Sequence, residues 1–541
     1  MSTWTDLWAG KTIGSALTEA TQRFVSREAM VFENGNVTYQ QLQETSGLVA
    51  RGLLSLGIQR GDMVAIWMAG YAEWAYLYYG LARIGAIMVP INTRYKANEV
   101  EYVLNKSKAR LLIFKDEQRR GKSYFNTLKE LSPEQDQAMP GQFISTRLTY
   151  LRQVIAISDR RFPGCSSFKD LLEAGPRVPK ETLTQAEAQV QSEDVALLQF
   201  TSGTTGLPKG AMLYQLAMLR GAYYNNQRLG VSTQDRFFSA QPFFHVGGSI
   251  QIMLGPVVSG CTVIVQSYFD PTDALRILEE QRCTAILGHQ PHFIEYLNHP
   301  GLKKRRLYLK RGNILAPPDV RRRVYEEMGI EVLISPYGLT ETHIGGSSCQ
   351  FDDPMEKCLT TVGRCMPGME LGIRDPDSNQ FLPPGETGEI CFRGWCVMKG
   401  YYDDPERTAE VVDSEGWFRT GDLGVVDSDG YLKIMGRIKD MIRVGGENVA
   451  AAEVEAFFLQ QEKVKQVVVV GVPDPRLGEV CAAFVELRSG TQATEDEILT
   501  YCRSGLASFK VPRKIIFVRE WPMSGTGKIQ KFLLKESLIK Y

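Results

Sequence analysis

A short apolar strand followed by a glycine-rich loop is the feature that most limits how this chain can fold. Residues 195–200, VALLQF, form a run typical of a buried β-strand. The next ten residues, TSGTTGLPKG at 201–210, contain three glycines, four hydroxyl side chains and one lysine. Because glycine has no Cβ, such a loop can turn sharply and bring its backbone N–H groups close to a ligand. Those N–H groups, the hydroxyls and Lys209 together predict a wrap for a polyphosphate.

The Walker A motif, another phosphate-binding loop, does not fit this stretch. Its pattern GxxxxGK[ST] requires a glycine directly before the lysine and a Ser or Thr directly after it. Here Pro208 precedes Lys209 and Gly210 follows it, so no hydroxyl is placed there to hold a metal ion. Composition alone leaves a plain turn as an equal alternative to phosphate binding.

Length, charge and cysteine content limit the class of protein. The 541 residues exceed one ordinary core and predict two or more domains. Lysine plus arginine and aspartate plus glutamate both number 62, which disfavours nucleic acid or an acidic membrane as the main partner. The ten cysteines include no CxxC pair and indicate free thiols in a reducing compartment. The sequence shows no signal-peptide pattern and no apolar run near the roughly 18 residues of a membrane span, so we expect a cytoplasmic protein without an integral membrane segment.

Helical and strand patterns alternate in the first part of the chain. Helices are predicted at 38–57, 71–85 and 98–106, and strands at 62–68, 87–91 and 110–114. This alternation favours α/β layers with parallel strands. The stretch 116–192 carries charge clusters and prolines without clear periods, and we interpret it as connecting and surface structure.

A second stretch suited to nucleotide chemistry is ISPYGLTET at 334–342. The Tyr337 ring can stack on a flat base, and the Thr340 hydroxyl can donate to a phosphate oxygen. Glu341 can ligate Mg²⁺, which prefers hard oxygen ligands and bridging phosphates. The alternative interpretation is a strand end followed by an ordinary helix start.

Three further residues stand in distinctive surroundings, each with a plain alternative. His245 lies among aromatics in QPFFHVGG at 241–248, where a packed core histidine is the alternative to a ring beside a substrate pocket. Asp422 lies in GWFRTGDL at 416–423, and its carboxylate can accept two hydrogen bonds from vicinal ribose hydroxyls, where an aspartate in an ordinary glycine turn is the alternative. Lys528 lies in a glycine-flanked turn, where a solvated surface lysine is the alternative.

Together these stretches resemble the signature elements of the ANL adenylate-forming superfamily, and within it the acyl-CoA synthetases. The resemblance covers the chain from about residue 30 to its end, with the elements in the family's order: TSGTTGLPKG, ISPYGLTET, GWFRTGDL, GRIKDMIRVGGEN at 436–448 and PMSGTGKIQK at 522–531. One element departs from the family pattern, since GNILAPP at 312–318 stands where GGAPL is usual on the adenine side.

The resemblance implies an α/β fold with a large N-terminal domain of layered α/β subdomains plus an antiparallel β subdomain. A small, mobile α+β C-terminal domain is implied to follow it. The implied boundaries are 1–438 for the adenylation domain and 439–541 for the C-terminal lid domain.

The resemblance also assigns roles to individual residues. ATP or AMP would be bound by Thr201, Ser202, Gly203, Thr204, Thr205, Gly206, Lys209, Ser335, Pro336, Tyr337, Gly338, Thr340, Asp422, Arg437 and Lys528. The catalytic residues would be Lys528, Glu341, Thr340 and His245, with Glu341 as the metal ligand. The acyl pocket would include His245, Gly247, Gly248 and Gly345, and these glycines with Gly346 suggest room for an extended or ring-bearing acyl group. Gly445 and Gly446 would let the pantetheine arm of CoA pass close to the backbone, and Lys439 or Asp440 would be the hinge.

The implied activity is ATP-dependent activation of a carboxylic acid to acyl-AMP, followed by thioester formation with CoA. Mg²⁺ is the implied cofactor, ATP and CoA are co-substrates, and the acid is expected to be a medium- or long-chain fatty acid or an aromatic acid. A homodimer is the assembly that we consider.

Two alternatives stay open. A carrier-protein thiol, an amine or O₂ could replace CoA as the acceptor, although no carrier domain follows Tyr541, which we take to favour a free small thiol. A binding or regulatory protein that kept the fold should lack charged groups of the site. The groups that argue against it are Lys209, Glu341, Asp422, Arg437 and Lys528.

Overall fold

The computed structural model of the protein describes residues 5–33, 35–116, 123–134, 138–139, 141–201, 208–445, 447–523 and 529–539. The chain divides into two compact units. Unit 1 comprises Met1–Glu370 and Phe392–Phe418, and unit 2 comprises Leu371–Cys391 and Arg419–Tyr541.

Unit 1 alternates helices and short strands along most of its length. Its helices are α1 Ile13–Phe24, α2 Tyr39–Ser55, α3 Ala72–Arg83, α4 Ala97–Lys106, α5 Tyr124–Leu131, α6 Phe168–Ala174, α7 Lys180–Gln189, α8 Gln215–Leu229, α9 Met253–Ser259, α10 Pro271–Glu280, α11 Gln290–Asn298, α12 Pro318–Met328, α13 Met355–Thr360 and α14 Pro405–Val411. Its strands are β1 Glu28–Phe32, β2 Gly35–Thr38, β3 Met63–Trp67, β4 Ile87–Pro90, β5 Leu111–Lys115, β6 Gln153–Ile157, β7 Ser166–Ser167, β8 Val195–Thr201, β9 Lys209–Tyr214, β10 Arg236–Ser239, β11 Thr262–Val265, β12 Ala285–His289, β13 Arg311–Leu315, β14 Val332–Ile334, β15 Ser347–Ser348 and β16 Arg364–Cys365.

Two seven-stranded sheets organise unit 1. Sheet 1 has the order β7-β6-β5-β3-β4-β8-β9 and is parallel except for the pair β8 and β9. Sheet 2 has the order β14-β13-β12-β10-β11-β1-β2 and is parallel except for β1 and β2. Strands such as β3, MVAIW, are buried along their whole length, as expected for parallel sheets covered on both faces.

The local patterns at 38–114 predicted the right elements. The three predicted helices correspond to α2, α3 and α4, and the three predicted strands to β3, β4 and β5. Helix α2 begins where the capping pattern requires, because the Thr38 hydroxyl accepts from the Gln41 N–H and the Gln41 side chain accepts from the Thr38 N–H.

The interpretation of 116–192 as connecting and surface structure is wrong. Strand β6 lies inside sheet 1, parallel to β5 with Val154 beside Leu112. Helix α5 buries Tyr124 and Leu128 in the same core. The apolar run of β6 is only four residues long and stands between charged stretches, so it produced no detectable period.

The strands that follow β16 form two smaller sheets, and most of their residues belong to unit 2. The elements are β17 Met369–Arg374, β18 Thr387–Gly394, β19 Phe418–Val426, β20 Leu432–Arg437, β21 Met441–Val444, β22 Glu447–Ala450, α15 Ala451–Leu459, β23 Val464–Asp474, β24 Gly478–Leu487, α16 Glu495–Gly505, β25 Lys514–Phe517 and α17 Lys531–Ile539. Sheet 3 has the order β17-β18-β19-β20, and sheet 4 has the order β22-β21-β24-β23 with β25 paired to β24. The core of sheet 4 includes Val454, Phe458 and Ile498 from α15 and α16, which gives an α+β unit.

All ten cysteines are free, and nine of them are buried, which confirms the prediction of free thiols. Within the described ranges, no helix has both the length and the apolar composition that crossing a bilayer requires.

Candidate active site

The parallel strands of sheet 2 end at one common edge, and three of the predicted site segments follow them directly. The His245 segment follows β10, residues 316–318 on the expected adenine side follow β13, and residues 335–341 follow β14. The strands β10, β12, β13 and β14 are successive neighbours in parallel register. Ligands bind at the carboxyl ends of strands in open parallel sheets because the loops converge there. The fold therefore brings these three segments to a single edge.

The predicted phosphate loop joins two antiparallel strands. Thr201 at the end of β8 lies opposite Lys209 at the start of β9, and the Thr201 hydroxyl donates to the Lys209 carbonyl oxygen over 3.5 Å. A Walker A loop instead leads from a strand into a helix, so the structure agrees with its exclusion. The predicted residues between them, Ser202, Gly203, Thr204, Thr205 and Gly206, lie outside the described residues.

Tyr401 connects the lysine of this loop with the expected metal ligand. The Tyr401 hydroxyl donates to Glu341 Oε1 over 2.8 Å, and Lys209 Nζ lies over the Tyr401 ring, 4.9 Å from its centroid. Burial raises the pKa of Tyr401 and the Glu341 carboxylate raises it further, so the phenol remains a hydrogen-bond donor. The sequence did not single out this tyrosine, because a residue next to Gly400 and Tyr402 shows no pattern that separates it from a core position.

The segment after β14 is fixed by backbone pairing. Tyr337 exchanges two backbone hydrogen bonds with Ser347, of 2.9 and 3.0 Å. Tyr337 is only 8% exposed and its ring centroid lies 5.9 Å from that of Phe392, so the fold covers most of the ring that we expected to stack on a purine. The neighbouring predicted residues differ in exposure: Ser335 is buried, Pro336, Thr340 and Glu341 are half-buried, and Gly338 is exposed.

His343 holds this segment against β9 and was not found from the sequence. The Tyr214 N–H donates to His343 Nε2 over 3.0 Å, and His343 Nδ1 lies 2.6 Å from the Cys396 carbonyl oxygen. An accepting Nε2 and a donating Nδ1 define one neutral tautomer. Burial lowers the pKa of His343 to about 4, so the ring stays neutral. Its backbone has a φ of 51°, which is uncommon for a residue with a side chain.

The His245 segment is attached to β8 and continues into a π-helix. The Gln199 side-chain amide donates to the Phe244 carbonyl oxygen over 2.6 Å. A π-helical turn then spans Gly247–Ile252, and such turns frequently lie at functional sites. His245 is half-buried with its ring centroid 5.0 Å from that of Phe244, unlike a fully packed core histidine.

The glycines of the expected acyl pocket differ in the space around them. A Cβ on Gly247 would meet no atom nearer than 3.8 Å, whereas one on Gly248 would lie 2.3 Å from the Pro242 carbonyl oxygen. A Cβ on Gly345 would lie 2.9 Å from an indole ring, and one on Gly346 would lie 2.2 Å from a backbone carbonyl oxygen. Neighbouring backbone therefore leaves no space for a side chain at Gly248 or Gly346, and the room that these glycines give to an acyl group stays a prediction.

In unit 2, Asp422 on β19 lies directly opposite Arg437 on β20. Both side chains line a cavity of about 220 Å³ whose wall also includes Asp440 and Lys531. The Asp422 side chain is 8% exposed and the Arg437 side chain is 43% exposed. The carboxylate is therefore held in the wall, while the guanidinium reaches solvent.

Glu389 supports the part of β19 that carries Asp422. One Glu389 oxygen accepts from the Gly421 N–H over 3.0 Å, and the other pairs with Arg419 at 2.6 Å. Gly421 has a φ of +72°, a conformation that glycine adopts without steric cost. The role of Glu389 was missed because it ends a run, PPGETGE, that indicates no more than a turn.

The expected hinge residues form a short turn between β20 and β21. Lys439 and Asp440 lie in the 3-10 helix Ile438–Asp440. Lys531 Nζ lies 3.7 Å from Asp440 Oδ2 and 2.8 Å from Glu455 Oε1. An ion-pair network thus ties this turn to α15 and α17.

Only part of the remaining predictions falls within the described residues. Gly445 lies in the turn between β21 and β22 with a φ of +60°, and a Cβ there would lie 3.0 Å from Leu477. Gly446 and Lys528 lie outside the described residues.

The metal prediction concerns a single carboxylate. No cluster of three or more His, Cys, Asp and Glu side chains that could hold a metal ion occurs among the described residues. Mg²⁺ is usually held by one or two carboxylates plus substrate phosphates rather than by a full protein cage. Glu341 fits this requirement, because within the described part of the chain its carboxylate accepts from a phenol and pairs with no cation.

Comparisons with known proteins identify the family. A model described as "AMP-binding enzyme" matches residues 17–402, and one described as "AMP-binding enzyme C-terminal domain" matches residues 453–528. "Putative acyl-CoA synthetase YngI" of Bacillus subtilis (strain 168) is 37% identical over 535 residues, which cover 98% of this chain and 97% of that protein. "Medium-chain acyl-CoA ligase ACSF2, mitochondrial" of Danio rerio is 36% identical over 535 residues, which cover 97% and 88%.

A solved structure supports the same assignment. The anthranilate CoA ligase AuaEII in complex with anthranoyl-AMP matches with a TM-score of 0.85 and 25% identity, over 98% of this chain and 97% of that chain. These matches confirm the predicted fold class. The chain therefore belongs to the AMP-binding enzyme family, and it is an adenylate-forming enzyme of the acyl-CoA synthetase type.

Proposed function

We propose that this protein converts a medium- or long-chain fatty acid, or an aromatic acid, into its CoA thioester through an acyl-AMP intermediate. The observation that carries this proposal is the common edge of sheet 2, where the His245 segment, residues 316–318 and residues 335–341 converge. A relative named as a medium-chain acyl-CoA ligase and a structural neighbour that holds anthranoyl-AMP support this choice of acids. A role in fatty acid metabolism would follow from the first of these substrate classes.

The first step activates the acid, because the charge of a carboxylate repels nucleophiles and oxide is a poor leaving group. A carboxylate oxygen attacks the α-phosphorus of ATP, a P–O bond forms, and the bond to pyrophosphate breaks. Lys209, Thr340 and the hydroxyls of the 201–210 loop would hold the phosphates, and Lys528 would stabilise charge that builds on the phosphorus oxygens. Positioning supplies much of the rate gain in such phosphoryl chemistry.

Other residues would hold the rest of the nucleotide. Asp422 and Arg437 would bind the ribose, and Tyr337 would contact the purine with the part of its ring that the fold leaves open. When bound through Glu341, Mg²⁺ supplies charge neutralisation for the phosphates.

The second step transfers the acyl group. The CoA thiolate attacks the acyl carbon, the C–S bond forms, and the C–O bond to AMP breaks. We propose domains at 1–438 and 439–541 with a rotation at Lys439 and Asp440 between the two steps, so that Lys528 clears the path of the thiol. The pantetheine arm would pass Gly445 and Gly446.

A pyrophosphate-release screen over a panel of carboxylic acids, with and without CoA, tests this proposal. We expect release with fatty or aromatic acids, and a thioester only when CoA is present. Release without a CoA thioester, together with transfer to a carrier protein or an amine, would support the alternative acceptors. No release with any acid would contradict adenylation itself.

Gly247 and Gly248 offer a matched pair for the acyl pocket. Gly247→Ala has space for its methyl group, so we expect a stable protein whose preference among acids of different length or width changes. Gly248→Ala would press against the Pro242 carbonyl oxygen and should lower the melting temperature. An unchanged acid preference in a folded Gly247→Ala variant would remove Gly247 from the pocket.

The cytoplasmic compartment and the homodimer stay predictions. Cell fractionation tests the first, and sedimentation velocity of the purified protein tests the second.

A further inference from the structure

We propose that Tyr401 is a positioning residue that sets the geometry of both Glu341 and Lys209 at the nucleotide phosphates. This inference rests on the proposed function, since it assigns Glu341 to the metal ion and Lys209 to the phosphates. It adds a residue that acts on both groups at once, through its hydroxyl on one and its ring on the other.

The hydroxyl orients the carboxylate. It donates to Glu341 Oε1 over 2.8 Å, and within the described ranges no other side chain bonds to this carboxylate. A single neutral donor fixes the orientation of the carboxylate without cancelling its charge. The second oxygen therefore remains a negative ligand in a defined direction, which suits a metal that demands near-ideal geometry.

The ring orients the lysine. Lys209 Nζ lies 4.9 Å from the Tyr401 ring centroid, within the range of a cation–π contact. Among the described residues no carboxylate forms an ion pair with Lys209. The ring thus holds the ammonium in place while leaving its charge available for phosphate.

Tyr401 can act in this way because its own backbone is held on two sides. Ala211 of β9 forms an isolated bridge with Tyr401, and the Met212 N–H donates to the Gly400 carbonyl oxygen over 3.0 Å. The Met398 N–H donates to the Glu341 carbonyl oxygen over 2.8 Å. The strand that begins with Lys209 and the turn that carries Glu341 are thus both tied to the segment that presents Tyr401.

The test uses two substitutions and a matched control. Tyr401→Phe removes the hydroxyl but keeps the ring, and Tyr401→Leu removes both. Tyr402→Phe removes the phenol hydroxyl of the next residue, whose ring lies under Lys108, 5.8 Å from its Nζ. Two affinities are measured for each protein: that for Mn²⁺ in the presence of a non-hydrolysable ATP analogue, by electron paramagnetic resonance, and that for the analogue in EDTA, by calorimetry.

For Tyr401→Phe we expect Mn²⁺ affinity to fall about 10-fold, since the lost bond is to a charged group. Affinity for the analogue in EDTA should stay unchanged, because the ring under Lys209 remains. For Tyr401→Leu both affinities should fall, and for Tyr402→Phe neither should change. In combination with Glu341→Gln, the Tyr401→Phe effect on Mn²⁺ should largely disappear, because the two changes remove one interaction.

Two results would overturn the inference. One is a Tyr401→Phe protein that binds Mn²⁺ and the analogue like Tyr402→Phe. The other is an equal loss of both affinities together with a lower melting temperature in Tyr401→Phe, which would assign the hydroxyl a purely structural role. Failure of the proposed function would give a different result, because the unsubstituted protein would then release no pyrophosphate with any acid.

Discussion

Asp422 and Arg437 lie opposite each other on neighbouring strands and form an ion pair, with 2.8 Å between Arg437 Nε and Asp422 Oδ1. The pair joins a nearly buried carboxylate to a half-exposed guanidinium at the wall of one cavity. Such a pair favours one orientation of the carboxylate. This is the arrangement that a residue needs if it is to accept hydrogen bonds from two adjacent hydroxyls.

Asp422→Ala should lower ATP affinity about 10- to 100-fold, because two hydrogen bonds to a charged group are lost. The measurement is isothermal titration with ATP and with 2′,3′-dideoxy-ATP. The unsubstituted protein should bind the dideoxy nucleotide about as weakly as Asp422→Ala binds ATP. Asp429→Ala, an exposed carboxylate in the turn between β19 and β20, serves as the control and should bind both nucleotides normally. If Asp422→Ala binds ATP normally, Asp422 does not hold the ribose.

Glu389→Gln should destabilise the part of β19 that presents Asp422. The amide cannot accept from both the Gly421 N–H and the Arg419 guanidinium, so one half-buried donor loses its partner. We expect a loss of about 1–3 kcal/mol in the free energy of unfolding in urea, with a several-fold weaker affinity for ATP. Glu370→Gln, which breaks an exposed pair with Arg393, should cost less than about 1 kcal/mol. Equal losses in the two variants would remove the role given to Glu389.

His343 should make the folded protein sensitive to mild acid. Its folded pKa of about 4 lies below the ordinary value of 6.5, so between these values the unfolded chain binds more protons than the native one. Stability should therefore fall as the pH drops from 6.5 towards 4, by up to about 1.4 kcal/mol per pH unit from this residue.

His343→Asn tests that assignment. Asparagine tolerates the positive φ and can still donate to the Cys396 carbonyl oxygen, but it cannot titrate. We expect the variant to lose about 1–3 kcal/mol at pH 7, because the Tyr214 N–H loses its acceptor. Its stability should fall less steeply with acid than that of the unsubstituted protein. The same slope in both proteins would contradict the role of His343, and half-buried His292, whose pKa is also lowered to about 4, would then account for the acid effect.

Sequence patterns predicted the features of the fold that depend on residues close together in the chain. Helix α2 and strand β3 were predicted from local periodicity, because the apolar side chains that pack into the core recur at regular spacing within each element. Asp422 was selected as a ribose ligand because a distinctive run of residues surrounds it, and that role stays a prediction. Strand β6 was missed because four apolar residues carry too little pattern on their own.

Local sequence patterns could not identify Tyr401, His343 and Glu389, the residues that support the candidate site. Tyr401 meets Glu341 across 60 positions, His343 meets Tyr214 across 129, and Glu389 meets Gly421 across 32. Each of these roles is set by tertiary contacts alone. The glycines show the same limit, because the sequence does not distinguish Gly247, where an added Cβ would meet no atom nearer than 3.8 Å, from Gly248, where it would lie 2.3 Å from a backbone oxygen.

Lys528→Ala should separate the two half-reactions. Loss of the cation should abolish acyl-AMP formation, measured as pyrophosphate release, because charge on the phosphorus oxygens is no longer stabilised. Thioester formation from supplied acyl-AMP should stay largely intact. Lys535→Ala, which removes a half-exposed lysine bonded to Glu479, should keep both activities. Equal loss of both half-reactions in Lys528→Ala would contradict its role in adenylation.

The route of the carboxylate oxygen tests adenylation most directly. The acid is labelled with ¹⁸O in its carboxylate and turned over with ATP and CoA, and the nucleotide products are analysed by mass spectrometry. Attack of the carboxylate on the α-phosphorus predicts AMP that carries one ¹⁸O and pyrophosphate that carries none. Label in phosphate with ADP as the nucleotide product, or unlabelled AMP, would contradict an acyl-AMP intermediate.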